Sequence, residues 1–214
     1  MKTAIIFDLD GTLLDTLGDL HRAVNYALAQ FGYPGRTLEE VRRFVGNGAG
    51  QLISLSVPEG KDPSPVLEVF QAYYRENCRI LTGPYAGIPE ALAVLKQDHP
   101  LAIVSNKPDA AVKTLCADFF PGIYARGESA DCPRKPAPDM VHSAMAALGA
   151  EHCIYVGDSE VDVITARNAG IPCLSVLWGF RDKEELLSTG AEHFCETPHQ
   201  LVEKIRQFIS RDLT

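Results

Sequence analysis

The chain has 214 residues and a mass of 23.3 kDa, 46% hydrophobic and 22% charged, with a mean hydropathy of −0.03. That gives room for one large domain or two modest ones with a real core, and it excludes disorder and collagen-like repeats. A net charge of −8 and a pI of about 5.2 leave no basic footprint for non-specific nucleic-acid binding.

From Lys2 the chain runs apolar to Phe7, then meets Asp8, Asp10 and Gly11, the pattern of a buried strand ending at a loop. The acids come too early for a signal peptide, and no apolar run approaches the length of a bilayer span. The chain is therefore expected to stay in the cytoplasm. From Asp15 the period lengthens. Leu17, Leu20, Val24, Leu28 and Phe31 recur at steps of three and four, one face of a helix that stops near Gly32 and Pro34. Thr37-Leu38-Glu39-Glu40 is a capping box opening a second helix, which Gly46-Asn47-Gly48 breaks. Helices are expected over 51–56 and from Pro65 to about Cys78. Residues 16–82 hold no convincing strand and are charge-balanced, so the negative excess falls on the rest of the chain.

After Pro84 helices and strands alternate. Helices are expected over 89–97, 109–117, 138–148, 160–169 and 198–209, and strands over 101–104, 153–156 and 172–177. Apolar strands alternating with helices predict a parallel sheet covered on both faces. Ligands bind such a sheet at the carboxyl ends of its strands, near a switch point. The six cysteines are scattered, without a Cys-x-x-Cys pair, and read as structural thiols.

Four loops at strand ends carry the chemistry. Asp8-Leu9-Asp10-Gly11-Thr12 places two carboxylates two residues apart, pointing the same way. Such a pair either binds a metal or shares a proton. An acidic turn is the bland alternative, but four fixed residues in five occur by chance in on the order of one chain in several hundred. Ser105-Asn106-Lys107 offers a hydroxyl and backbone N–H groups suited to phosphate oxygens; alone it reads as a helix cap. Arg134-Lys135-Pro136 offers a lysine with a restricted approach, and alone it reads as a solvated loop. Gly157-Asp158-Ser159-Glu160-Val161-Asp162 puts acids after an apolar strand, and alone it is as readily an acidic helix N-terminus. Together the loops supply a carboxylate nucleophile, a second carboxyl group, a further metal ligand, and cationic and hydroxyl clamps for phosphoryl oxygens. All-oxygen ligands select a hard cation, Mg²⁺ above all.

These loops, in this order and at these separations, closely resemble the four motifs of the haloacid dehalogenase superfamily, and the resemblance spans essentially the whole chain. It implies a doubly wound, Rossmann-like α/β core over residues 1–15 and 83–214, with a small all-helical cap inserted over 16–82. The segment Phe44-Val45-Gly46-Asn47-Gly48-Ala49 is similar to the cap loop of the phosphoglycolate-phosphatase-like branch, and Pro84-Tyr85-Ala86-Gly87-Ile88-Pro89 to its return hinge. The resemblance implies that Asp8 attacks phosphorus and carries an aspartyl-phosphate, while Asp10 protonates the leaving alcohol and then takes a proton from water. It implies Mg²⁺ held by Asp8, the main-chain carbonyl of Asp10, and Asp158, with Asp162 ordering that shell directly or through water. It implies, too, that Thr12, Ser105, the N–H of Asn106 and Lys135 hold the transferring oxygens. Dehalogenating and phosphonate-cleaving members lack a carboxylate at the position of Asp10, so phosphoester chemistry is implied here.

Substrate choice is expected to rest on the cap, with Arg43, Asn47 or Gln51 as contacts, although Arg43 reads equally well as a solvated helix residue. Gly50 stands where related phosphatases often carry a larger or charged residue. Arg181 reads as a surface arginine. The expected activity is a Mg²⁺-dependent phosphatase of small phosphorylated metabolites, 2-phosphoglycolate first, in a monomer or homodimer. A sugar phosphomutase, an inorganic pyrophosphatase and a binding module without turnover are the alternatives.

Overall fold

In β1 (Ala4–Phe7) every residue is buried, with Ile5 and Phe7 in one core cluster and Ala4 and Ile6 in another. Successive side chains of a strand leave on opposite faces, so a wholly apolar strand requires cover on both. Burial of each of its large side chains is worth ~1.5–3 kcal/mol. In this computed structural model, which describes residues 3–212, β1 pairs in parallel with β4 (Leu101–Pro108) on one side and β6 (Cys153–Gly157) on the other. Outside them lie β5 (Tyr124–Glu128), β7 (Cys173–Val176) and β8 (His193–Cys195), and the order is β5-β4-β1-β6-β7-β8, parallel throughout. Lys2, expected to open β1, lies outside the described residues. On one face the sheet is covered by α5 (Ile88–Asp98), α6 (Asp109–Phe119) and α10 (Leu201–Asp212), and on the other by α7 (Asp139–Leu148) and α8 (Glu160–Ala169). A short α9 (Lys183–Ser188) packs beside α8.

Between β1 and α5 the chain builds four helices, α1 (Leu17–Gln30), α2 (Leu38–Phe44), α3 (Gly48–Ser56) and α4 (Ser64–Asn77). Thr37 and Glu40 close the expected capping box, with Glu40 N–H on Thr37 Oγ1 at 3.2 Å and Thr37 N–H on Glu40 Oε2 at 2.7 Å. The apolar face of α1 packs along α4, with Tyr26 stacked on Tyr73 at 3.9 Å. The chain leaves and returns through a two-stranded antiparallel ribbon, β2 (Leu14–Asp15) with β3 (Gly83–Pro84). Just above it, Asp19 Oδ2 accepts the N–H groups of Ile80, Leu81 and Thr82, each at 2.9 Å.

The structure extends what the sequence predicts. β5 and β8 were not expected, because β5 is only half-buried and polar at its end, and β8 has three residues. β4 continues through Pro108, so Ser105 and Lys107 lie within the last half of the strand. The final helix begins only at Leu201, after a 3-10 turn over Pro198–Gln200. Arg181, read as a surface residue, is instead buried. It grips Glu160 (Nε to Oε2, 2.7 Å) and donates to the carbonyls of Val45 (2.7 Å) and Arg42 (3.2 Å). Among the described residues no helix is long and apolar enough to cross a membrane.

Candidate active site

At β1 the strand order reverses direction, with β4 and β5 running out to one side and β6, β7 and β8 to the other. The carboxyl ends of β1, β4 and β6 meet there, at the place where open α/β sheets bind ligands. They present Asp8, Ser105 and Asp158. Gly11, at φ +77°, turns the chain away from β1, and a Cβ there would overlap the Asp158 carboxylate. Gly179 makes the same allowance from the loop after β7. Two glycines therefore clear the space in which Asp158 stands beside Asp8.

Lys135 centres the buried end of the site. Its Nζ donates to Asp8 Oδ1 (2.7 Å), Asp162 Oδ1 (2.8 Å) and the Tyr155 hydroxyl (2.9 Å). Burial alone would pull this ammonium down, but the Asp162 and Asp8 charges hold it well above its ordinary value. Asp162, on the first turn of α8, also accepts from the N–H groups of Asp158 (3.2 Å) and Ser159 (3.0 Å) and from the Ser159 hydroxyl (2.7 Å). With the Tyr155 hydroxyl donating as well, at 3.1 Å, its oxygens are fully occupied. Asp162 thus orders the site rather than presenting free lone pairs.

Asp8, Asp158 and Asp162 bring carboxylate oxygens within 4.8 Å of one another. Burial, reinforced by the neighbouring aspartates and opposed by Lys135, pushes Asp8 well above the usual carboxylate range. Burial and the charge of Asp162 push Asp158 up to about 7. The site thus packs four carboxylates, those of Asp8, Asp10, Asp158 and Asp162, against two buried ammonium groups, Lys135 and Lys107. Like charges this close favour either protons or a cation. The donor set, all oxygen and two charges in excess, fits a hard divalent cation between Asp8 and Asp158.

The other expected residues divide by what they touch. Asp10 faces the Lys107 ammonium (3.0 Å), the Thr16 hydroxyl (2.5 Å) and the Ser105 hydroxyl (3.3 Å). Thr12 donates to Asp158 Oδ1 at 3.0 Å, and so acts on that carboxylate. The Asn106 side chain is a staple: it accepts from Lys135 N–H (2.7 Å) and donates to the carbonyls of Lys135 (3.0 Å) and Gly46 (2.9 Å). Arg43 does not reach the site. It lies on the exposed face of α2, paired with Glu39 at 3.1 Å. Asn47 is half-buried at the start of α3 and Gln51 is exposed, and neither lines the cavity above the aspartates.

That cavity, of about 430 Å³, is walled on the helical side by Leu20, Leu52, Phe70 and Tyr74, with Gln71 and Arg75 also lining it. Two site residues escaped the sequence reading. Tyr155 sits mid-strand in an apolar run, where a tyrosine signals only core. Lys107 lay within a recognised loop, but nothing in the sequence showed that it points at Asp10.

The chain belongs to the haloacid dehalogenase-like hydrolases, whose family matches it over residues 5–176. Its relatives include the phosphoglycolate phosphatase of Rhodobacter capsulatus, 38% identical over 194 residues, 85% of this chain and 87% of that one. The phosphoglycolate phosphatase of Cereibacter sphaeroides is 36% identical over 187 residues, 83% and 86% of the two chains. A crystal structure from Lactobacillus delbrueckii subsp. bulgaricus, provisionally named a phosphoglycolate phosphatase, matches with a TM-score of 0.90 at 39% identity, covering 96% of this chain and 99% of that one. This kinship places the chain among enzymes that hydrolyse phosphoric monoesters.

Proposed function

We propose that the chain is a Mg²⁺-dependent phosphatase that hydrolyses small phosphomonoesters through an aspartyl-phosphate on Asp8, with 2-phosphoglycolate first among its candidate substrates. One observation carries this reading. Asp8 and Asp10, two residues apart, are held by different buried lysines, Asp8 by Lys135 and Asp10 by Lys107. Two carboxylates in different surroundings take different roles. Asp8 stands beside Asp158 and Asp162, and Asp10 beside Lys107 and Thr16; Asp8 and Asp10 both line the cavity that takes the substrate.

Asp8 attacks phosphorus, forming a P–O bond as the ester bond breaks, and the leaving oxygen takes a proton from Asp10. Water then attacks the same phosphorus. Asp10 takes its proton, and Asp8 is released with inorganic phosphate. Lys135 neutralises charge on Asp8 and on the transferring oxygens, and Ser105 and the Asn106 N–H orient them. Asp8 and Asp158 would hold Mg²⁺, which when bound would supply the positive charge that lets one anion attack another. Helices α1–α4 form the cap domain of residues 16–82, which closes over the substrate and excludes water. Kinship with named phosphoglycolate phosphatases puts 2-phosphoglycolate first.

Phosphate release with Mg²⁺ across 2-phosphoglycolate, pyrophosphate, sugar phosphates and nucleotides tests the reading. Turnover peaks on 2-phosphoglycolate and falls at least about a thousandfold in Asp8→Asn. Wild-type turnover in that variant would end the case for Asp8 as nucleophile.

A further inference from the structure

Lys107 is a buried cation with a partner on each side of the cavity. Its ammonium sits 3.0 Å from Asp10 Oδ1 and donates to the Tyr74 hydroxyl at 2.7 Å. It lies 4.6 Å from the centre of the same ring. Asp10 follows β1, whereas Tyr74 belongs to α4, on the far wall. Tyr74 is itself buried and stacked on Phe70, with centroids 5.5 Å apart and planes 7° from parallel. A buried ammonium is costly unless its partners are well placed, and these partners come from the two parts of the molecule that enclose the substrate.

The two oxygens of Asp10 are unequally held. Oδ1 takes both Lys107 and the Thr16 hydroxyl, while Oδ2 has, among the described residues, only the Ser105 hydroxyl at 3.3 Å. Anchoring Oδ1 fixes the rotation of the carboxyl group and leaves Oδ2 as the lightly engaged oxygen of a residue that lines the cavity. We infer that Lys107 is a positioning residue for proton transfer: it holds Asp10 by Oδ1 and is seated by Tyr74, so that the placement of α4 over the sheet sets the aim of Oδ2. The inference rests on Asp10 exchanging the proton, as proposed above. It also couples the cap to the chemistry through a contact between two protein side chains.

Leaving groups separate this role from simple support of the fold. An alkoxide needs a proton as it departs, whereas p-nitrophenolate leaves without one, so a misaimed acid harms alkyl esters selectively. The measurement is kcat/KM, which reports the step that breaks the ester bond. Substrates are 2-phosphoglycolate, glycerol 3-phosphate and p-nitrophenyl phosphate, with Lys107→Met, Lys107→Arg, Tyr74→Phe and Asp8→Asn as variants. In Lys107→Met the ratio of alkyl to p-nitrophenyl turnover falls at least about tenfold on both alkyl esters. Tyr74→Phe, which keeps the ring and its stacking, lowers the same ratio about threefold, and Lys107→Arg recovers part of the loss.

An unchanged ratio in Lys107→Met overturns the proposal. So does a loss confined to 2-phosphoglycolate, which would make Lys107 a contact for the substrate carboxylate. Should Lys107→Met fail to fold, the ratio in Tyr74→Phe decides: a fall supports the coupling and no change overturns it. Full turnover in Asp8→Asn would remove the underlying mechanism, whereas an inactive Asp8→Asn together with an unchanged ratio in Lys107→Met removes the role of Lys107 alone.

Discussion

Asp158 shows how much of the site's behaviour comes from crowding charges rather than from any one residue. Its carboxyl group, raised to about 7 by burial and by Asp162, holds its proton more tightly folded than unfolded. Without a cation, its contribution to stability is present at low pH and is lost as pH rises through about 7; Asp8 shifts in the same direction. A divalent cation competes with those protons and binds better as they leave. The melting-temperature difference between protein with Mg²⁺ and protein with chelator therefore widens from about pH 5 to pH 8. A constant difference over that range would show that these carboxylates do not take up the cation. The sequence displayed Asp8, Asp10 and Asp158, because acids following apolar strands are locally conspicuous. It could not display which oxygens were free: Asp162 spends its own on Lys135, Tyr155 and Ser159, and Thr12 is turned to Asp158. Those partners lie up to 146 residues apart, beyond the reach of spacing.

Among the elements, α1 does more than its periodic apolar face requires. Asp19, in its first turn, collects three backbone N–H groups from the returning chain. Hydrogen bonds to a charged acceptor are stronger than neutral ones, and three stranded donors are expensive. Asp19→Ala therefore costs ~3 kcal/mol in urea denaturation, and Asp19→Asn recovers roughly half. A change below ~0.5 kcal/mol would show that water replaces the carboxylate without loss. The helices were the most legible part of the chain: the Thr37–Glu40 capping box and the start of α8 at Glu160 fall where the sequence places them. β5 was hidden because the Tyr-Ala-Arg-Gly-Glu stretch lies at the sheet's edge and lacks an apolar run. Arg43 stayed open between a substrate contact and a solvated helix residue for a related reason. Periodicity assigns a face to α2, but only the packed molecule shows that this arginine meets Glu39 on the outside.

Across the whole molecule, Arg181 joins the loop after β7 to α8 through Glu160, and to the chain around α2 through the carbonyls of Arg42 and Val45. Arg181→Ala leaves those carbonyls to water, so hydrogen exchange quickens over residues 41–53 while the amides of β1 keep their protection. Equal quickening in both places would mean that the arginine supports the fold as a whole. The strand order has a further consequence for how the protein is made. β1 lies inside the sheet and precedes the other described elements in the chain, but its partners begin only at Leu101 and Cys153. On the ribosome, Ala4-Ile5-Ile6-Phe7 waits without a neighbour while α1–α4, whose contacts are local to one another, emerge and pack. The strand that carries the proposed nucleophile thus enters its sheet late, and through that interval its apolar segment is the nascent chain's exposed point, where chaperones or aggregation would find it first.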